Sequence, residues 1–128
     1  MTYILDTSVA IHLRDSDPVI TGRIAALDAT ILLSIISRVE LEGGVYRDPV
    51  EANGRRTRLD VMLTALPVLE FDRAAADAYR DIVEVAGYSR RKLLDRMIAA
   101  QALAHRATLV TFNAGDFRDI PGLSLLEW

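Results

Sequence analysis

Four acids and one amide, spread over the whole chain, carry the chemistry open to this sequence: Asp6, Glu40, Asp95 and Asp116, with Asn113. Each acid also has an ordinary job available. Asp6 suits a helix N-cap, and Ser37-x-x-Glu40 has the spacing of a capping box. Asp95 stands four residues after Arg91, the separation of a helical ion pair. Singly, those readings suffice. Gathered in one partly buried pocket, the same groups would repel one another and be costly to ionise unless a cation joined them. A hard divalent ion, Mg2+ or Mn2+, suits an all-oxygen set. Zinc would call for histidine or cysteine. The chain has no cysteine, and its two histidines, His12 and His105, have no partner at ligand spacing and read as surface or helix-end residues.

The elements that must position these acids follow from the apolar pattern. Tyr3-Ile4-Leu5 is a short buried strand ending on Asp6, and Thr7 and Ser8 open a helix. Pro18 starts a second helix. Thr30 to Ile35 is too continuously apolar for a sheet with one wet face and reads as a central parallel strand. Ser37 is expected to begin the next helix, with Gly43-Gly44 and Asp48-Pro49 weakening or ending it. A further helix from near Val50 to Leu66 then forms a hairpin projecting from the sheet. Pro67 to Phe71 is an edge strand, followed by a helix capped by Asp72, with Asp77 on its surface. An alanine-rich helix runs from Leu93 to Ala107, Thr108 to Phe112 is a fourth strand, and Leu123 to Leu126 a last short one.

This alternation predicts an α/β fold, a three-layer α/β/α sandwich with a central parallel sheet of four to five strands, in one domain over residues 1–128. In a β-α-β unit the helix runs antiparallel to its strands, so its first turn lies at the rim where the preceding strand ends. That geometry sends Asp6, Glu40 and the Asn113–Asp116 turn to one edge, where open α/β sheets bind ligands. Asp95 joins them if the ridge it shares with Ala99 and Ala102 packs on the sheet.

With 51% hydrophobic and 26% charged residues, the chain is globular in composition. A net charge of -3 argues against nucleic-acid binding by bulk charge, yet a pocket of acids around a divalent ion leaves arginines elsewhere free to meet phosphates. Asp6 interrupts the first apolar run too early for a signal peptide, and no stretch is long enough for a membrane span, so a cytoplasmic location is expected.

Four segments, YILDTSVAI, SIISRVELEGG, LLDRMIAAQAL and ATLVTFNAGDF with IPGLSLLEW after it, occur in an order and chain length that resemble the PIN-domain family, and within it the VapC-like toxins of type II toxin-antitoxin modules. The resemblance implies a magnesium-dependent endoribonuclease, with Mn2+ able to substitute, restrained by a VapB-like antitoxin and forming a homodimer. It makes Asp6, Glu40 and Asp95 an acidic triad, with Asp6 and Asp95 as metal ligands and the Thr7 and Ser8 hydroxyls near the pocket. The fourth acidic position falls on Asn113, an amide, with Asp116 three residues on; either can complete the site.

On this reading an ion-bound water attacks an RNA phosphodiester, and Glu40 or Asp116 positions the water or takes its proton. Arg90, Arg91, Lys92 and Arg96 are the basic residues nearest the pocket and the candidates for RNA contact, against the plainer reading of solvated helix-end charge. The Val50–Leu66 excursion and the first helices are the candidate antitoxin surface. Two rivals remain. A magnesium-dependent aspartyl phosphotransferase would want a second Asp two residues after Asp6, where Ser8 stands, or a lysine after a late strand. A non-catalytic α/β interaction module, whose acids only cap helices, would show no metal-dependent change in melting temperature.

Overall fold

The central strands are runs of four or five mostly apolar residues, one side chain on each face of the sheet in turn, and that period of two decides the layering. The computed structural model describes residues 1–128. Its elements are β1 (Thr2–Leu5), α1 (Thr7–Arg14), α2 (Pro18–Leu27), β2 (Thr30–Ser34), α3 (Ile35–Arg47), α4 (Ala52–Ala65), β3 (Val68–Leu69), α5 (Arg73–Ala86), α6 (Leu93–His105), β4 (Thr108–Thr111) and β5 (Ser124–Glu127), with a 3-10 turn at Ala114–Phe117. The five strands form one sheet in the order β3-β2-β1-β4-β5, every neighbouring pair parallel. The predicted sandwich is therefore present, with β1 at its centre.

On one face Tyr3, Leu5, Ile31, Leu33 and Val110 pack with residues from α1 to α4, including Val9, Ile20, Leu41, Val45, Leu59 and Met62. On the other, Ile4, Leu32 and Leu109 pack against Ile82 of α5 and Ile98, Ala99 and Ala102 of α6. Ala99, Ala100 and Ala102 of α6 are fully buried, so small side chains bring this helix close to the sheet and its first turn close to the strand ends.

Several local expectations are corrected. Ser37 does not begin a helix. The cap is Ser34, whose hydroxyl accepts from the Ile36 amide, and α3 starts three residues sooner than the capping-box spacing suggested. Glu40 consequently stands in the second turn of α3, not the first. Gly43 and Gly44 do not break that helix, which runs on to Arg47. Gly44 instead lies against the Arg14 guanidinium, where an added Cβ would meet Nη1 at 3.7 Å. The α3–α4 hairpin does not project, because Leu59 and Met62 are buried in the core beneath it. Pro67 to Phe71 contributes only a two-residue strand, though at the edge as expected. Asp72 caps α5 through the Ala75 amide, and Asp77 is exposed.

Gln101 holds the β3 edge in place. Fully buried on α6, it accepts from the Ser34 hydroxyl and donates to the Leu69 and Glu70 carbonyls at 3.2 and 3.1 Å. Replacing it with an apolar isostere strands two carbonyls, so Gln101→Leu is expected to lower unfolding free energy by about 2 kcal/mol, read by urea denaturation at neutral pH. An unchanged stability would show that the edge does not depend on this amide.

Candidate active site

The rim of the sheet at the ends of β1 and β4 is where the acids meet. Asp6 is the single residue between β1 and α1, in extended backbone. Its amide donates to the Val110 carbonyl at 2.9 Å, tying the junction to β4. One carboxylate oxygen accepts from the Thr7 amide at 2.8 Å and the other from the Thr111 hydroxyl at 2.9 Å. Asp6 is thus a helix cap, as its ordinary reading holds, but each oxygen retains a lone pair for something else. It is 7% exposed. Burial pushes its carboxyl above the usual range; the Thr111 hydroxyl, the Thr7 amide and, more weakly, the Ser8 hydroxyl oppose that, and Asp116 adds to it.

Asp95 lies in the first turn of α6, half-buried, with the alanines beneath it on the sheet. Burial, then the charges of Asp6, Glu40 and Asp116, push its carboxyl up to about 6, with Lys92 pulling the other way. The effect identifies its neighbours. Three acids from distant parts of the chain stand near enough to raise it, and Arg91, its alternative ion-pair partner, forms no bridge with it. None of the eight ion pairs in the protein includes Asp6, Glu40, Asp95 or Asp116.

Glu40 reaches the rim from α3, exposed, and accepts from the Thr7 hydroxyl at 2.8 Å. Asp116 is carried by the 3-10 turn, which Phe117 anchors in the core. Asn113 is exposed and its side chain makes no hydrogen bond; its backbone amide donates to the Thr111 hydroxyl and its carbonyl accepts from the Asp116 amide. Of the two alternatives for the fourth position, Asp116 is the one whose charge bears on both Asp6 and Asp95.

The basic residues separate. Arg90 and Arg91 are exposed in the turn before α6, while Lys92 bridges to Asp119 at 3.5 Å. Arg96 is corrected as a substrate-contact candidate. It is 3% exposed, and its guanidinium donates to the Gly87 carbonyl at 2.6 Å and to Asp119 at 3.0 Å. Its work is to hold the α5–α6 turn against the loop before β5. Thr111 and Ser37 were missed. Thr111 stood in the sequence only as the start of Thr111-Phe112-Asn113, and its bond to Asp6 requires knowing that β4 lies beside β1.

No three acidic or histidine side chains are drawn together tightly enough to cage an ion unaided. The donor set still fits a hard cation of the magnesium type, which takes one or two carboxylates and keeps its waters. A groove of about 340 Å³ lies away from this rim, between α1, α2 and α4, floored by Leu13, Ile24, Met62 and Leu66, with Arg14 and Arg58 in its lining.

A family profile described as the PIN domain matches residues 3–123. The chain belongs to the PIN-domain family. It is 29% identical over 135 residues to a protein named Ribonuclease VapC2 of Rickettsia felis, covering 100% of this chain and 98% of that one. Among solved structures, VapBC2 of Rickettsia felis bound to a promoter DNA fragment superposes with a TM-score of 0.87 at 29% identity, covering 100% of this chain and 99% of that one. DNA-bound VapBC of Salmonella typhimurium gives 0.87 at 26% identity, covering 100% and 98%. No helix of this PIN domain is long and apolar enough to cross a membrane.

The raised Asp95 carboxyl makes the PIN-domain rim a source of instability. A folded-state pKa near 6 against an ordinary 3.8 means that the folded protein holds this proton more tightly than the unfolded chain. Asp95 therefore costs nothing below about pH 4 and progressively more as pH rises through about 6. Allowing for solvent at a half-buried site, the cost at neutral pH is about 1 kcal/mol. In metal-free buffer at pH 7.5, Asp95→Asn is expected to melt roughly 3 °C above wild type, a difference that vanishes near pH 4. A variant that melts lower at pH 7.5 would show that the charge is not repelled.

Proposed function

We propose that this protein is a divalent-metal-dependent endoribonuclease, the toxin half of a VapBC-type module that arrests growth by cleaving RNA. The observation that carries the reading is the set of four carboxylates at one sheet rim, unpaired by any basic side chain, where burial and then the charges of its three neighbours raise Asp95 to about 6. A fold alone needs no such arrangement. The likeness to a protein named Ribonuclease VapC2 supports the reaction class.

Asp6 and Asp95 are the residues that would hold the ion, Mg2+ or Mn2+. Bound there, it would supply charge for the phosphate and lower the pKa of a coordinated water. The rest belongs to the chain. Asp6, fixed by the Thr7 amide and the Thr111 hydroxyl, cannot swing away, so the first ligand is preorganised. Glu40 and Asp116 flank the pair and are acceptor-only when ionised, suited to orienting the attacking water and accepting its proton. The exposed Arg90 and Arg91 meet flanking phosphates of a single-stranded substrate, and Thr7 and Ser8 line the floor.

Cleavage of a labelled single-stranded RNA in Mg2+ should fall at least roughly a hundredfold in Asp95→Asn. Wild type should gain melting temperature with added Mn2+ and the variant should not. Retained cleavage with an intact metal response would remove Asp95 from the chemistry.

The VapBC likeness also supports a VapB-like antitoxin partner and a homodimer. The groove between α1, α2 and α4 offers the antitoxin an apolar floor under a basic rim, where Arg14, Arg55 and Arg58 crowd around Asp15 alone. An amphipathic helix with an acid beside its apolar stripe suits that charge. Val61, 66% exposed at the groove, is the test position. Val61→Asp is expected to weaken capture by the cognate antitoxin at least roughly tenfold in a pull-down titration while RNA cleavage persists. Undiminished capture would move the partner elsewhere.

A further inference from the structure

Glu40 enters the rim on an exposed turn of α3, with a long side chain and no ion pair, and the Thr7 hydroxyl is its sole side-chain hydrogen-bond partner. A hydroxyl has one hydrogen. Because an ionised carboxylate only accepts, the Thr7 hydrogen is committed to Glu40 at 2.8 Å. The contact between the Thr7 and Ser37 hydroxyls, also 2.8 Å, then has one polarity: Ser37 donates and Thr7 accepts. Ser37 is fully buried, one turn before Glu40 on the same helix, and Thr7 is its side-chain partner. The capping box is thus absent, and the two residues that suggested it are joined through a third from another helix.

We propose that Ser37 is a positioning residue for Glu40, acting through the Thr7 hydroxyl. A buried donor fixes the Thr7 rotor, the rotor fixes one Glu40 oxygen, and that oxygen is held toward the carboxylates Asp6 and Asp95. Thr7 follows Asp6 directly and its amide binds the Asp6 carboxylate, so one residue sets the relative placement of two acids. The inference rests on the nuclease reading for Glu40 and adds a role that composition and spacing did not reveal.

The test is a cycle of Ser37→Ala, Thr7→Val and Glu40→Gln on the full chain, with cleavage of a labelled single-stranded RNA in Mg2+ and thermal melts on every member. Ser37→Ala is expected to lower kcat roughly tenfold with KM unchanged, and Thr7→Val on top of it should add little. On the Glu40→Gln background Ser37→Ala should change neither kcat nor KM. Ser37→Thr, which keeps the hydroxyl, should restore kcat. A loss of kcat that persists undiminished on the Glu40→Gln background, or an unchanged kcat in Ser37→Ala, would overturn the relay. A wild type that cleaves no RNA would count against the nuclease reading alone. The melts then decide the relay: Ser37→Ala and Glu40→Gln should be non-additive if the hydroxyl chain joins them and additive if it does not.

Discussion

A carboxylate that the fold buries but does not neutralise is the constraint on which the rest depends. Asp6 is nearly inaccessible, flanked by Asp95 and Asp116, and granted only hydrogen bonds in place of a counter-charge. Those bonds come from two elements. The Thr7 amide is supplied by the start of α1, and the Thr111 hydroxyl by the end of β4. The pairing of β1 with β4 makes this possible, because it sets the last residue of β1 beside the end of β4 and directly before the helix that follows.

Much of this could be read from the chain, for a physical reason. Parallel strands covered on both faces are continuous apolar runs, so β1, β2 and β4 fell within a residue or two of their expected limits. Antiparallel helices then bring acids to the strand ends by geometry alone. The failures share a different cause. Ser34 and Ser37 are both chemically suited to cap a helix, and which one does so depends on where β2 stops, a packing outcome that capping chemistry cannot see. Arg96 sits in a visibly basic run, and only the fold reveals that Asp119 and the Gly87 carbonyl claim its guanidinium. Thr111 and Ser37 are small hydroxyls whose importance lies wholly in which distant residue they meet.

The basic residues near the rim divide by burial rather than by sequence position. Arg96 and Lys92 are spent on Asp119, stapling the α5–α6 turn in place, and a residue so used cannot also travel to a phosphate. Arg90 and Arg91 are left exposed on a turn thereby made firm. The staple also steadies the start of α6, where Asp95 stands, so it bears on the site without touching it.

The acidic rim and the apolar groove are different surfaces, yet one short helix belongs to both. α1 begins at Thr7, which binds Asp6 and Glu40, and ends at Leu13 and Arg14, which line the groove. Its eight residues span about 12 Å. Val9 and Ala10 in its middle are fully buried, and Arg14 at its end is buried against Gly44, so both ends of the helix are tied to one packed segment. An occupant that displaced the end of α1 would therefore move the Thr7 hydroxyl and amide as well. Thr7 carries the placement of two acids, so a small movement at the groove would reach the rim through hydrogen bonds of 2.8 Å that tolerate little stretching.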